Sequence, residues 1–181
     1  MLYHYFMSDS SELLDIVDKN DNVIGKDSKE NKFKKEFITR NVAIFILDND
    51  NKLLITKRSS KKISFPNRYD LAACGNVKSG ETYHEAVKRE VNEELGIDCK
   101  VELLNKIYNK FKENGKNIKY FTAIFLGKYS GKVILNDELV ELKKLTLSQI
   151  DSLIKKNKNE FTPGFINDYR QVKDQLINAS H

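Results

Sequence analysis

The sequence predicts an α/β fold, a single domain in which a mixed β-sheet is sandwiched between helices (an α/β/α sandwich). Three observations carry this. At 181 residues, 40% of them hydrophobic, the chain is long enough for one proper core and too short for two comfortable ones. The run Val42-Ala43-Ile44-Phe45-Ile46-Leu47 is continuously apolar, as in a strand buried on both faces of a sheet. Among the strand-like stretches lie helical segments with explicit start signals, two of them carrying an apolar stripe that suits packing onto a sheet.

Residues 1–11, MLYHYFMSDSS, read as a loose N-terminus with Met7 as an alternative start, ahead of a domain spanning 12–178. Leu13 to Asp18 and Val23 to Asp27 form a hairpin around Lys19-Asn20-Asp21-Asn22, with Gly25 in the returning strand. Lys29 to Phe37 reads as a short basic helix. The strand Arg40 to Asp48 turns at Asp48-Asn49-Asp50-Asn51 and returns as Lys52 to Arg58, a hairpin expected at the centre of the sheet. Tyr69 to Cys74 is a strand delivering a loop that begins at Gly75. Thr82 and Glu85 form a capping box that opens a helix with the stripe Val87, Val91, Leu95, closed by Gly96.

Val101 to Phe111 and Lys119 to Lys128 read as paired strands joined through the turn signal Asn114-Gly115. A strand near Val140 to Leu145 follows, then a second capping box, Thr146 with Gln149, starting a helix that runs to about Lys156. Thr162-Pro163 supplies an N-cap and a first-turn proline for a last helix, Gly164 to Ile177. Its apolar positions Phe165, Ile166, Tyr169, Val172 and Leu176 suit packing on the sheet. There is no internal repeat, low-complexity tract or linker.

Composition narrows the function classes. The formal net charge of +5 favours anionic ligands, but Lys and Glu are interspersed, which falls short of a nucleic-acid signature. No apolar run reaches membrane-spanning length and no charged-then-apolar leader is present, so neither a transmembrane segment nor a secretion signal is expected. Cys74 and Cys99 show no C-x-x-C spacing, which supports neither a disulfide framework nor a zinc site and fits a reducing cytoplasm. The oligomeric state stays open between monomer and homodimer.

The chemistry concentrates in GNVKSGETYHEAVKREVNEELGI, residues 75 to 97. Glu90, Glu93 and Glu94 stand at i, i+3 and i+4, neighbours on one side of the helix, and repel one another unless a cation joins them. The expected geometry buries Val87 and Val91, exposes the carboxylates of Glu90 and Glu94, and lines an active-site cleft with the helix. Just upstream, TKRSSKKISFPNRYDLAAC clusters Lys57, Arg58, Lys61, Lys62 and Arg68. Of these, Arg58, Lys62 and Arg68 are the candidate substrate-binding residues, because basic side chains beside a carboxylate cluster suit an anionic substrate.

Gly75, five residues, Glu81, seven residues, Arg89-Glu90-Val91, one residue, Glu93-Glu94, one residue, Gly96-Ile97: this pattern resembles the signature of the Nudix hydrolases at every defined position. The resemblance implies a loop-helix-loop that binds Mg²⁺ or Mn²⁺ and cleaves a small-molecule diphosphate, a nucleoside diphosphate derivative or another organic diphosphate. It assigns metal and catalytic roles to Glu90, Glu93 and Glu94, a further metal contact to the Gly75 carbonyl, and a bracing pair to Arg89 and Glu81. The substrate stays open, because specificity resides in loops such as Phe111 to Lys119 and Ser130 to Glu138.

Beyond the signature, the N-terminal hairpin, the TKRSSKKISFPNRYDLAACG segment and FTPGF resemble the branch of this family near isopentenyl-diphosphate isomerase. That opens an alternative, isomerisation of an isopentenyl diphosphate, since Cys74 stands where those isomerases keep an essential cysteine. Against it, the positions matching the isomerase metal ligands outside the signature carry Phe33, Arg40, Asn76 and Tyr120. The histidines, His4, His84 and His181, are scattered to a terminus, the exposed side of the signature helix and the last residue. Cys74 is therefore read as a small buried residue. A third reading, a ligand-binding module that has lost turnover, runs against the intact glutamate cluster.

Overall fold

The computed structural model describes residues 12–32, 34–62, 64–113 and 116–180. The expected loose terminus, Phe33, the turn pair Asn114-Gly115 and the histidines at positions 4 and 181 lie outside them.

A hairpin of β1 (Leu13–Val17) and β2 (Val23–Ser28) stands apart from a seven-stranded mixed sheet. The sheet is organised on β3 (Thr39–Leu47), which pairs in parallel with β8 (Lys116–Lys128) from Thr39↔Tyr120 to Leu47↔Lys128. β7 (Val101–Glu113) pairs antiparallel with β8 through Glu113↔Lys116. The stretch from Phe111 to Lys119, expected as a loop, is therefore mostly a continuation of this ribbon.

The expected central hairpin is present, but β3 and β4 (Leu53–Arg58) share only the pair Leu47↔Leu53. Beyond it they diverge and recruit other partners, as edge N–H and C=O groups must. β4 takes β9 (Leu139–Leu145) on one edge and β5 (Tyr69–Asp70) through Thr56↔Asp70 on the other. β3 takes β6 (Ala73–Asn76), with Val42↔Gly75 and Ala43↔Cys74. The expected single strand over residues 69–74 is thus two short strands, and the segment crosses a wedge between β3 and β4.

Side chains alternate along β3 and build a core on each face. Val42, Ile44 and Ile46 pack with Ala86, Val87, Val91 and Leu95 of α1 (Tyr83–Leu95). Ala43, Phe45 and Leu47 pack with Ile150 of α2 (Leu147–Asn157) and with Phe165, Tyr169, Val172 and Leu176 of α3 (Pro163–Ala179). The sheet is a sandwich filling with α1 on one side and α2 and α3 on the other.

The caps behave as their chemistry requires. Thr82 with Glu85 and Thr146 with Gln149 both close reciprocal capping boxes, and Gly96 ends α1 at φ 64°, in the left-handed region. The Ser130 to Glu138 loop folds back on that end, where Ile134 N–H donates to the Leu95 carbonyl and Asn136 N–H to the Glu94 carbonyl. The basic helix expected from Lys29 to Phe37 is reduced to a 3-10 turn, Lys29–Asn31. So short a segment needs an apolar face to dock; here Asp27 instead captures Asn31 and Lys35 through its side chain.

α3 is tied to β5 at its start. Thr162 N–H donates to the Tyr69 carbonyl, its hydroxyl donates to Asp70 Oδ1 at 2.9 Å, and Thr162 Oγ1 accepts the Phe165 N–H at 3.0 Å. Thr162→Ala removes the cap and a partner of a buried carboxyl together, so it is expected to lower the unfolding free energy by about 2 kcal/mol, read from urea denaturation.

Candidate active site

β6 and α1 bring the signature residues together. Arg89 is the hub: Nε donates to Glu81 Oε1 at 2.7 Å and Nη2 to Glu81 Oε2 at 2.9 Å, a two-pronged pair, while Nη2 also reaches the Asn76 carbonyl at 3.0 Å. Its Nη1 donates to Glu90 Oε1 at 2.6 Å and Glu93 Oε2 at 3.1 Å. Glu81 also accepts the Lys78 N–H at 2.9 Å, which closes the Gly75 to Glu81 loop on itself. From outside, Asp15 of β1 accepts from the Ser79 hydroxyl at 2.7 Å and the Gly80 N–H at 3.3 Å, so the N-terminal hairpin braces the same loop.

The carboxylates are less open than the sequence suggests. Val87 and Val91 are buried as expected, but Glu90 and Glu94 are also buried, at 9% exposure each; only Glu93, with half of its side chain exposed, faces water. The helix lies closer to β6 than a 100° periodicity reveals. Glu94 Oε2 accepts the Cys74 N–H at 3.3 Å, and a Cβ on Gly75 would stand 2.1 Å from Glu90 Oε1. Only glycine allows that approach.

Burial raises the pKa of Glu90, an effect that Arg89 opposes, and it pushes Glu94 well up, helped by the charges of Glu90 and Glu138. Glu81 is held below its ordinary value, first by its hydrogen bonds to Arg89. Among the described residues no cationic side chain pairs with Glu94, and no three His, Cys, Asp or Glu side chains are gathered closely enough to hold a metal. In this arrangement the Arg89 guanidinium serves Glu90 and Glu93 in place of an ion. The donor set nevertheless suits a hard divalent cation: oxygen ligands only, raised carboxyl pKa values, and a glycine that opens its backbone to Glu90.

The candidate basic residues are divided. Lys62 pairs with Glu138, close enough to Glu94 to lower its pKa. Arg58 turns inward, with Nη1 3.3 Å from Asp70 Oδ2. Arg68 leans on the Phe161 carbonyl at 3.5 Å and lies over the Phe65 ring.

A cavity of about 560 Å³ lies on the other face of β6, walled by Asn41, Arg58, Asp70, Cys74, Asn109 and Asp168 among others. No residue of α1 lines this cavity. The reason is alternation along β6: Gly75 faces the glutamates and Cys74 faces the cavity. Burial, with Asp70 and Glu94 adding, pushes the Cys74 thiol well up, so it stays protonated.

Asp70, Asp168 and the amides beside them were not singled out from sequence. Asp168 did carry a signal, falling i+3 from Phe165 and i−4 from Val172 on the buried stripe of α3. Lys32 was also missed: it is buried, with Nζ 3.0 Å from Asn76 Oδ1 and 3.4 Å from Asn41 Oδ1, over the Tyr120 ring. Burial lowers its pKa to about 8. Arg40 is paired with Asp21 at 2.6 Å, and His84 is exposed against Phe125.

Arg89→Ala leaves Glu81 and Glu90 without their cation and is expected to cost about 3 kcal/mol at pH 7, allowing for partial exposure. Arg89→Lys should recover little of it, because an ammonium cannot replace the fork. Since Glu81 is depressed by the pair, its stabilisation is present above about pH 4.5 and is lost as pH falls through the lowered value. Denaturation curves at pH 7 and pH 3 should show the Arg89→Ala penalty shrinking.

Comparison with known proteins gives the same picture. Residues 38–167 match the model of the NUDIX domain. The chain is 30% identical over 156 residues to isopentenyl-diphosphate Delta-isomerase 2 of Photorhabdus laumondii, covering 85% of this chain and 88% of that protein. It is 30% identical over 152 residues to a prenyl-diphosphate phosphatase of Methanosarcina mazei, covering 81% and 86%. Among solved structures, DR0079 from Deinococcus radiodurans superposes with a TM-score of 0.66 at 27% identity, over 81% of this chain and 90% of that one. The matched domain, the relatives and the shared fold together make this chain a member of the Nudix hydrolase family of pyrophosphohydrolases.

Proposed function

We propose that the protein hydrolyses a diphosphate linkage in a nucleoside diphosphate derivative or another organic diphosphate, with Mg²⁺ or Mn²⁺ held by Glu90, Glu93, Glu94 and the Gly75 carbonyl. The observation that carries this is the buried carboxyl pair, Glu90 and Glu94, raised in pKa and, in the case of Glu94, without a cationic partner among the described residues. Such a pair costs folding energy that a divalent cation offsets. The bound ion supplies charge neutralisation to the phosphoryl oxygens and makes the attacking water more acidic.

The chain's own residues do the rest. A signature glutamate, Glu90 first, takes the proton as water attacks phosphorus. Arg89 and Glu81 keep the loop in register with the helix, and Lys62 adds positive charge beside Glu94. Likeness to a prenyl-diphosphate phosphatase and to isopentenyl-diphosphate isomerases supports a diphosphate as the reacting group. Two unpaired cysteines support a reducing compartment, the cytoplasm.

The isomerase reading is disfavoured by Lys32. Where the isomerase-like positions Asn76 and Tyr120 would need a metal, an ammonium lies between the amide oxygens and the ring. The protonated thiol of Cys74 also has no carboxylate in hydrogen-bond contact among the described residues.

Glu93→Gln and Glu94→Gln are each expected to lose most of kcat with the fold intact, checked by phosphate release across a panel of organic diphosphates with Mg²⁺ and by circular dichroism. Full activity in excess chelator would contradict the reading. Cys74→Ala should lower turnover by less than about tenfold. A loss of about a hundredfold or more, with allylic product and no phosphate release from isopentenyl diphosphate, would establish the isomerase instead.

A further inference from the structure

Lys32, the residue after the 3-10 turn Lys29–Asn31, carries its side chain inward to the seam between β3 and β6. Its Nζ donates to Asn76 Oδ1 at 3.0 Å and to Asn41 Oδ1 at 3.4 Å, and lies 5.3 Å from the centre of the Tyr120 ring. Asn41 and Asn76 are direct partners in the β3–β6 ladder, so their side chains leave one face of the sheet side by side, about 5 Å apart at Cβ. The hydrolytic steps proposed above use neither amide and not the lysine.

An ammonium donates and cannot accept, so an amide that faces it must present its oxygen. Burial lowers the Lys32 pKa only to about 8, which leaves the charge in place at pH 7. Each amide is thereby fixed in one orientation, with its NH₂ group turned away from the lysine. The pull of the cation on the amide oxygen also makes those N–H groups stronger donors. Neither Nδ2 has a hydrogen-bond partner among the described residues, and neither is sealed from solvent. Two adjacent donor groups, backed by one cation, are left facing open space.

Place and charge decide what can meet them. Asn41 lines the cavity with Lys110, Tyr120 and Cys74, and Asn76 directly follows Gly75 of the signature. Arg89 Nη2 holds the Asn76 carbonyl at 3.0 Å, so cations grip both oxygens of that residue. A neutral acceptor would gain the N–H bonds alone; an anion gains the charge of Lys32 as well. The carboxyls on the cavity wall oppose an anion only in part, because Asp70 is paired with Arg58 at 3.3 Å and burial raises the Asp168 pKa to about 7.

Resting on the diphosphate-hydrolase reading above, we infer that Asn41 and Asn76 donate to a phosphoryl group of the substrate, and that Lys32 is the positioning residue that aims both amides at it. The pair supplies anion donors that Arg58, spent on Asp70, does not.

Two substitutions separate this role from a structural one. Asn41→Asp keeps the side-chain shape and gives Lys32 a carboxylate to pair with, but replaces the donor with a negative charge. Lys32→Gln supplies an amide that can both donate and accept, which frees Asn41 and Asn76 to turn. Binding of inorganic pyrophosphate at pH 7 in excess chelator, followed by calorimetry and by the side-chain NH₂ signals of Asn41 and Asn76 in NMR, needs neither metal nor turnover. The wild type should bind and shift both signals, and each variant should weaken binding by about tenfold or more. Thermal unfolding should leave Asn41→Asp as stable as the wild type or more so, and this variant carries the test if Lys32→Gln does not fold. No binding by the wild type, NH₂ signals that stay in place, or an affinity that Asn41→Asp does not change would overturn the inference. In steady-state hydrolysis of an organic diphosphate with Mg²⁺, the variants should raise KM about tenfold and change kcat by less than about threefold. Hydrolysis with KM unmoved also overturns it and leaves the hydrolase reading in place. If no diphosphate is hydrolysed but pyrophosphate binding is present and lost in Asn41→Asp, the hydrolase reading fails and the anion site stands.

Discussion

β3 and β4 leave their shared turn joined by one residue pair, Leu47 and Leu53, and everything at the candidate site follows from their separation. Two strands that part expose backbone donors and acceptors in the middle of a sheet, and those groups must be met. Residues 69–76 meet them, first along β4 and then along β3. The chain that fills the wedge is therefore held on both sides, and its last turns cannot shift without breaking a ladder. Cys74 and Gly75 sit on this strand, so the carboxylate site and the cavity share one rigid wall.

Against that wall α1 packs tightly enough to bury two of its glutamates. The arrangement carries opposing electrostatic effects in one turn of helix. Arg89 lowers the cost of Glu81 and Glu90, whereas Glu94 is left with a backbone N–H and a raised pKa. A site of this kind is poised for positive charge, because adding a cation relieves repulsion and burial together. The β1–β2 hairpin, through Asp15, and the Ser130 to Glu138 loop, through the end of α1, hold the two ends of the signature in place.

On the opposite face, the polar wall of the cavity comes from elements far apart in sequence: Asn109 on β7, Thr122 on β8 and Asn167 and Asp168 on α3. Family resemblance describes the signature loop well and this cavity poorly, since the cavity is built from positions outside the signature.

What the sequence by itself determined is local. Capping boxes at Thr82 and Thr146, the cap at Thr162, the glycine after α1 and the spacing of the signature are short-range patterns, and they describe the structure. The pairing of Arg89 with Glu81 was legible too, through the resemblance. Tertiary structure alone decided the burial of Glu90 and Glu94, the splitting of residues 69–76 into two strands, the inward turn of Arg58, and the meeting of Asn167 with Asn109. The expected basic helix is present only as the 3-10 turn Lys29–Asn31, none of whose residues is buried. Propensity and periodicity specify which way a side chain leaves its own backbone; what it meets there depends on how strands diverge and how closely a helix approaches, and those distances are set by contacts between residues far apart in the chain.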